Sequence, residues 1–292
     1  LKPSALSAVA VSPNQINLTW TDNSANETGF EIWRTSDLNT DFAYIGSAAE
    51  NATAYSDSYN LAPNTAYYYK IRAVGEFGES ELAAQYQEAN WQFNNDYKDA
   101  SGNNHALVPA SGPAFDPAEN REGSHSLKMN GTNHSVLINT ADGFLKNAFS
   151  EKSVALWMKP TLTTGNRVVF DLGGSDDGIA LKLDNNKLYV GIAGNSVRRN
   201  FYVPFESTEW THVAVVYEKK SLKLYLNGVE ADAINDLSFS TTTTTTNGSR
   251  IGLNESSNAF NSSSARFAGW IDNFTIYATA ITPDVVLAHM NN

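Results

Sequence analysis

Cysteine is absent from the 292 residues, which excludes disulfide frameworks and zinc–thiolate sites while leaving the compartment open. Basic residues are scarce: 20 Lys and Arg stand against 31 Asp and Glu, a net charge of −11. A surface for nucleic acid or for acidic membranes needs clustered positive charge, so the balance argues against both. No apolar run is long enough to span a membrane or to act as a signal peptide. The chain starts at Leu1 without a methionine and reads as an excerpt from a longer protein. Long helical periodicity is missing, which makes all-β the expected class. Also missing are the G-x-S-x-G elbow, the H-E-x-x-H helix, the phosphate loop and the dinucleotide fingerprint, each of which would mark an enzyme class.

What the chain has is alternation. Val213, Val215 and Tyr217 recur with period two, as do Leu222, Leu224 and Leu226, the pattern of strands with one buried face. Between that run and the next, Asn227-Gly228 is the dipeptide a two-residue type I′ hairpin prefers, because both central positions need positive φ. Pairing across that turn sets Leu226 opposite Val229, Leu224 opposite Ala231 and Leu222 opposite Ala233, and on the other face Tyr225 opposite Glu230 and Lys223 opposite Asp232. Further strand signals lie at Ile16–Trp20, Phe30–Arg34, Ser153–Met158, Val168–Leu172, Ile179–Leu183, Leu188–Ile192 and Phe201–Val203. A short helix is expected only near the end, with Pro283 in its first turn. N-x-S/T sequons occur at Asn17, Asn26, Asn51, Asn254 and Asn273, and two of them, Asn17 and Asn273, fall in strand patterns that suit a glycan badly. This favours a bacterial source that does not read them.

Two resemblances organise the chain. Trp20 on the second strand signal, the phrase Trp20-Thr-Asp-Asn-Ser-Ala-Asn-Glu-Thr-Gly-Phe30 and the phrase Leu61-Ala-Pro-Asn-Thr-Ala-Tyr67 resemble a fibronectin type III domain. That implies an immunoglobulin-like sandwich over residues 1–86, with Trp20 in its core and the Tyr67 hydroxyl tying a loop to the adjacent strand. Residues 81 to 90 form the expected junction. The run Trp210-Thr-His-Val-Ala-Val-Val-Tyr217, the Leu222–Gly228 hairpin, Trp91-Gln-Phe93 and Phe267–Tyr277 resemble laminin-G-like, concanavalin-A-like domains. A jelly-roll sandwich over residues 87–292 is implied, with Trp91, Trp157, Trp210 and Trp270 at core positions and His212 structural.

Some sandwiches of this kind are polysaccharide-degrading enzymes, so carboxylate pairs matter. Glu230-Ala-Asp232 comes nearest, but position 235 is Asn where the hydrolase pattern has a second Glu, and cross-strand pairing explains both acids. No catalytic residue is assigned. A cation site has more support. Alternation through Trp270-Ile-Asp-Asn-Phe-Thr-Ile276 would put Asp272 on one face with Trp270, Phe274 and Ile276, where its charge needs hydrogen bonds or a cation. Oxygen ligands suit Ca²⁺. The resemblance implies a structural ion where first and last strands meet, with Asp99, Ser101 and Asn103 as the other half of the set. Asn94 stands where the family often has an acid. The alternative is that Asp99 only caps a turn and Asp272 bonds backbone amides.

For a ligand, the patch Arg198, Arg199, Asn200 and Tyr202 combines guanidiniums, an amide and an aromatic ring in an acidic chain. Such a set can recognise a carboxylate or sulfate on a glycan. The competing reading is that the arginines neutralise Asp176, Asp177 or Asp184. The expectation is a secreted or cell-surface, monomeric, non-catalytic carbohydrate-binding module whose partner is a polysaccharide or surface glycan, anionic in one version. Protein adhesion and an unrecognised catalytic sandwich are the alternatives.

Overall fold

The computed structural model describes residues 3–36, 42–63, 65, 67–75, 78–79, 83–84, 87–101, 103–105, 107–138, 144–173, 177–242, 249–253, 259–260 and 265–291. Asp176, Thr243 to Thr246, Asn254 and residues 81, 82, 85 and 86 of the junction lie outside them.

The chain is all-β, and its strands form four antiparallel sheets apart from one short parallel pairing. In the first unit, Ser4–Ser12, Gln15–Thr21 and Ala54–Asp57 form one sheet, and Ala43–Ala49, Gly29–Thr35, Tyr68–Gly75 and two short strands form the other. Alternation aims Leu18, Trp20, Phe30, Ile32, Tyr69 and Ile71 into the space between them. Trp20 sits 5.4 Å from the Phe30 ring, in the core as expected. The Tyr67 hydroxyl accepts a hydrogen bond from the Ala62 amide at 2.9 Å and so ties its loop. Trp33, on the opposite face from Phe30 and Ile32, packs edge-on against Tyr44 at 5.6 Å and lies under the Arg72 guanidinium.

The second unit stacks two larger sheets. One runs Ala114–Asp116, Ser126–Asn130, Ala268–Tyr277, Glu151–Pro160, Thr211–Glu218, Ser221–Leu226, Val229–Ile234, with Gln87–Trp91 also paired to Ala268–Tyr277. The other runs Leu107–Ala110, Ser135–Ile138, Ser249–Ile251, Arg167–Gly173, Gly178–Leu183, Lys187–Gly194, Val197–Pro204. Val154, Leu156, Met158, Val213 and Val215 of the first sheet meet Phe170, Ile179, Leu181, Val190 and Ile192 of the second. Phe170 and Phe274 cross the gap edge to face at 5.5 Å. The helix Pro283–Asn291 lies on the outer side of the first sheet, where Val285 and Val286 cover Ala155, Ala214, Val216 and Tyr225.

The hairpin turns at Asn227 and Gly228, both with positive φ (48° and 81°), as the dipeptide predicts. Leu226 opposes Val229 and Tyr225 opposes Glu230 as expected, but a bulge follows, so Leu224 meets Asp232 and Leu222 meets Ile234. The extra residue shifts the rest of the register by one. Lys223 consequently reaches Glu230 at 3.5 Å instead of pairing with Asp232.

Candidate functional site

A second bulge decides the surroundings of Asp272. Trp157 opposes Asp272 and Ala155 opposes Thr275, so the long last strand carries one more residue than its partner between those points, and Asn273 has φ 42°. Parity therefore flips at Asn273. Ile271, Phe274 and Ile276 face the core, while Asp272 faces outward beside Trp270, contrary to the simple alternation that grouped it with Phe274 and Ile276.

Asp272 is nevertheless fully buried, because the loop at residues 117–125 folds over it. Its Oδ2 accepts the amides of Arg121 (2.8 Å) and Glu122 (2.9 Å), and its Oδ1 accepts that of Asn273 (2.9 Å). Burial pushes its carboxyl up to about 6, against the pull of those three donors. Asp99 is likewise wrapped by amides: Oδ1 accepts those of Asn90 and Ser101, and Oδ2 that of His105, each at 2.9 Å. Ser101 and Asn103 donate to backbone carbonyls at Glu88, and Asn103 also to that of Gln87. Each carboxylate organises its own loop: Asp99 the segment 99–105, with Ser101 and Asn103 tied to the backbone beside it, and Asp272 the loop at 117–125. The described residues hold no group of three or more His, Asp or Glu side chains arranged for a metal ion. Each carboxylate already meets three backbone N–H groups, so its charge has partners without a cation.

A buried polar chain runs on from this loop. The Trp157 Nε1–H donates to Glu122 Oε1 at 3.1 Å, and Asn273 Nδ2 donates to Glu122 Oε2. The Asn273 Oδ1 accepts from Asn90 at 2.8 Å and from Thr275 at 3.3 Å. Thr275 Oγ1 is 3.0 Å from His289 Nε2, and His289 Nδ1 is 2.9 Å from His212 Nε2. Burial raises the Glu122 carboxyl and lowers both imidazoles, His212 to about 4 and His289 to about 3. His212 is structural, as its position implies: it anchors the helix to the sheet.

Arg198, Arg199, Asn200 and Tyr202, the patch expected to meet a ligand, lie on the other sheet. Val197–Pro204 is that sheet's edge strand, and its residues split as alternation requires: Phe201 and Val203 pack toward the core, while Arg198, Asn200 and Tyr202 point outward. Arg199 is exposed on the opposite side from Tyr202. Cross-strand register adds partners that were not expected. Tyr189 stands opposite Tyr202 with ring centroids 5.0 Å apart, Gly191 opposite Asn200, and Lys182 opposite Tyr189. Lys187 Nζ lies 4.1 Å over the Tyr202 ring, and Lys182 Nζ lies between Tyr189 (5.0 Å) and Phe260 (4.9 Å). Tyr202 itself is 46% exposed. Of the acids considered as partners for the arginines, Asp184 lies 3.7 Å from Lys182, and Asp177 accepts the Asn195 amide. The sequence did contain the signal for Tyr189, since Leu188 and Val190 are apolar and face inward. It gave no sign of which strand would lie beside it.

The tryptophans divide unevenly. Trp91 is in the central core, but Trp157, Trp210 and Trp270 are on the outer face of the first sheet. Their strand neighbours Val154, Leu156, Met158, Val213 and Ile271 take the inward positions, so parity left the indoles outside. Glu230 is held by the Tyr225 hydroxyl at 3.1 Å and by Lys223, on an exposed hairpin.

The fold has known relatives. No curated protein is detectably similar in sequence. Domain 4 of AbnA, a GH43 extracellular arabinanase from Geobacillus stearothermophilus solved with arabinotriose, is 22% identical over 70% of this chain and 98% of that one, with a TM-score of 0.53. The binding domain of botulinum neurotoxin serotype G is 13% identical over 70% of this chain and 50% of its own, with a TM-score of 0.57. The binding domain of botulinum neurotoxin DC, in complex with SialylT, is 14% identical over 71% and 51%, at 0.55. The chain thus spans about half the length of these neurotoxin domains. Residues 1–88 match the fibronectin type III domain, and residues 130–287 match the concanavalin A-like lectin/glucanases superfamily. The chain belongs to that superfamily, with a fibronectin type III domain preceding its jelly roll.

Proposed function

We propose that the jelly roll is a non-catalytic carbohydrate-binding module and that its binding surface is the outer face built on Tyr189 and Tyr202. The observation that carries this reading is the cross-strand pair of exposed Tyr202 and half-buried Tyr189, flanked by Lys187, Asn200 and Arg198, with the buried Lys182 packed against Tyr189. Sugar rings offer an apolar C–H face to an aromatic ring and hydroxyls or carboxylates to the polar groups around it. The cationic rim in a chain of net charge −11 favours an anionic polysaccharide. The relatives support the class of ligand: the arabinanase domain holds arabinotriose, and a neurotoxin of the same fold depends on ganglioside for cell entry. The first unit, up to residue 86, serves as a spacer. The module acts as a monomer and belongs to a secreted or surface protein, where it keeps its parent near a polysaccharide.

The test is affinity electrophoresis of the whole chain in neutral and anionic polysaccharides, alongside Tyr202→Ala. Retardation in an anionic gel, weakened in the variant at unchanged thermal stability, is the expected result. Equal retardation of both proteins would remove the tyrosine face from the reading. If neither protein is retarded in any gel, the module binds protein instead.

A further inference from the structure

A concavity lies on the other side of the sandwich from the tyrosine face, between the end of the C-terminal helix and the loop at residues 117–125. Its volume is about 510 Å³, within the range of small-ligand sites of roughly 300–1,000 Å³. Trp157 forms part of the lining, with Trp210 and Glu209 on one side, Asn120 and Arg121 on another, and Asn227 at the hairpin turn. The exposed Arg121 guanidinium lies 4.4 Å over the Trp157 ring. Trp210 is half-buried, and no protein group among the described residues engages its Nε1–H.

The walls are fixed before anything binds. Asp272 holds the Arg121 and Glu122 amides, and Trp157 donates to the Glu122 carboxylate. The turn is locked to the sheet because the His212 amide donates to Asn227 Oδ1 at 3.0 Å and the Asn227 amide to the His212 carbonyl at 2.9 Å. The helix end, which brings Met290 and Asn291 to the rim, is pinned by His289 to His212. A buried polar network that converges on the three walls of one cavity pre-organises it, which lowers the ordering cost of binding.

We infer that this cavity is a second glycan subsite, taking a sugar residue against Trp210 with Arg121, Asn120, Asn227 and Glu209 around its hydroxyl or carboxylate groups. The inference rests on the glycan-binding reading above but uses a different face. The two outer faces belong to opposed sheets, so the subsites look away from each other across the core.

Tryptophan emission of the whole chain reports on this site, because two indoles line it. Titrations with arabinotriose, oligogalacturonate and a sialylated trisaccharide are compared for the parent, Trp210→Ala, Arg121→Ala and Tyr202→Ala, each checked for an unchanged melting curve. The expected result is an emission change with at least one sugar, kept in Tyr202→Ala, with affinity about tenfold weaker in Arg121→Ala and the response gone in Trp210→Ala. Arg121 is exposed, so its variant remains informative if Trp210→Ala fails to fold. Sugar binding that survives unchanged in Trp210→Ala and Arg121→Ala, yet falls in Tyr202→Ala, overturns the cavity and leaves the tyrosine face standing. Loss of the emission response confined to the Trp210 and Arg121 variants supports the cavity, and the tyrosine face is judged separately by gel retardation of Tyr202→Ala. No binding of any sugar by the parent overturns both.

Discussion

His212 Nε2 and His289 Nδ1 lie 2.9 Å apart, 77 residues distant in sequence and sealed from water between the sheet and the last helix. Burial keeps both rings neutral, so one of the two nitrogens donates and the other accepts. Burial lowers His212 to about 4 and His289 to about 3, whereas both return to 6.5 in the unfolded chain. Between those values the unfolded state binds more protons, so the stability the pair supplies is complete above 6.5 and is lost as pH falls toward 4. Asp272 acts oppositely. Burial raises it from 3.8 to about 6, so the folded state gains a proton first and stability rises as pH falls through that window. Glu122, also raised by burial, sides with Asp272, but the two histidines outweigh them, and each unbalanced proton is worth about 1.4 kcal/mol per pH unit. Thermal midpoints should therefore fall from pH 6.5 to pH 4, and His289→Gln should flatten the slope. A midpoint that rises on acidification would refute this account.

Asp272→Asn should destabilise the fold by roughly 2–4 kcal/mol, because an amide NH₂ cannot accept the N–H groups that converge on the carboxylate. Urea titration measures it. The same titration run with Ca²⁺ and with EDTA should give one midpoint, since the oxygens of Asp99 and Asp272 are already engaged by amides. A midpoint raised by Ca²⁺ would restore a cation to one of these loops.

Gly191 has no side chain because the Phe260 ring occupies that space: a Cβ there would sit 2.7 Å from its Cε1. Gly191→Val should push Phe260 off the sheet, loosen Lys182 from its two rings and weaken polysaccharide retardation. The melting temperature should drop only modestly, by the equivalent of about 1–3 kcal/mol of overpacking. Unchanged retardation would show that Phe260 plays no part in the surface.

With subsites on opposed faces, one monomer should bridge two polysaccharide chains. Mixing the protein with a soluble polysaccharide that binds it should produce turbidity near equivalence. Tyr202→Ala and Trp210→Ala should each still bind but leave the solution clear, because either change makes the module monovalent. Turbidity that persists in both variants would place the bridging elsewhere.

Much of the architecture was legible because its signals are local. Val213, Val215, Leu222 and Leu224 advertise a buried face, Asn227-Gly228 fixes the turn, and Pro283 marks the helix start. The two bulges were not legible. Nothing in Asn273 or Ala231 announces an extra residue, and each reverses the parity of all that follows. Trp157 is buried as the family pattern implies, but between Leu156 and Met158 it lies on the sheet's outer side, under the loop that carries Arg121 and Glu122. The tyrosine face stayed half hidden because Tyr202 was visible as a candidate, whereas its neighbours Tyr189, Lys182 and Phe260 become neighbours only through pairing. Asp99 and Asp272 were correctly marked as demanding partners, and the sequence could not say whether amides or an ion would answer.

The pairing of the unit's first and last strands has a consequence in time. Asn90 bonds to Asn273 across 183 residues, and Trp91 pairs with Phe274. At a synthesis rate of about 5–20 residues per second, Gln87–Trp91 waits roughly ten to forty seconds for its neighbour to exist. Closing so long a loop is slow even once the chain is complete. Throughout that interval the indole of Trp91 and the ring of Phe93 have no core to enter. The nascent chain carries an open, sticky edge that only its last strand can close, so its vulnerability to misassembly is greatest during birth and ends abruptly.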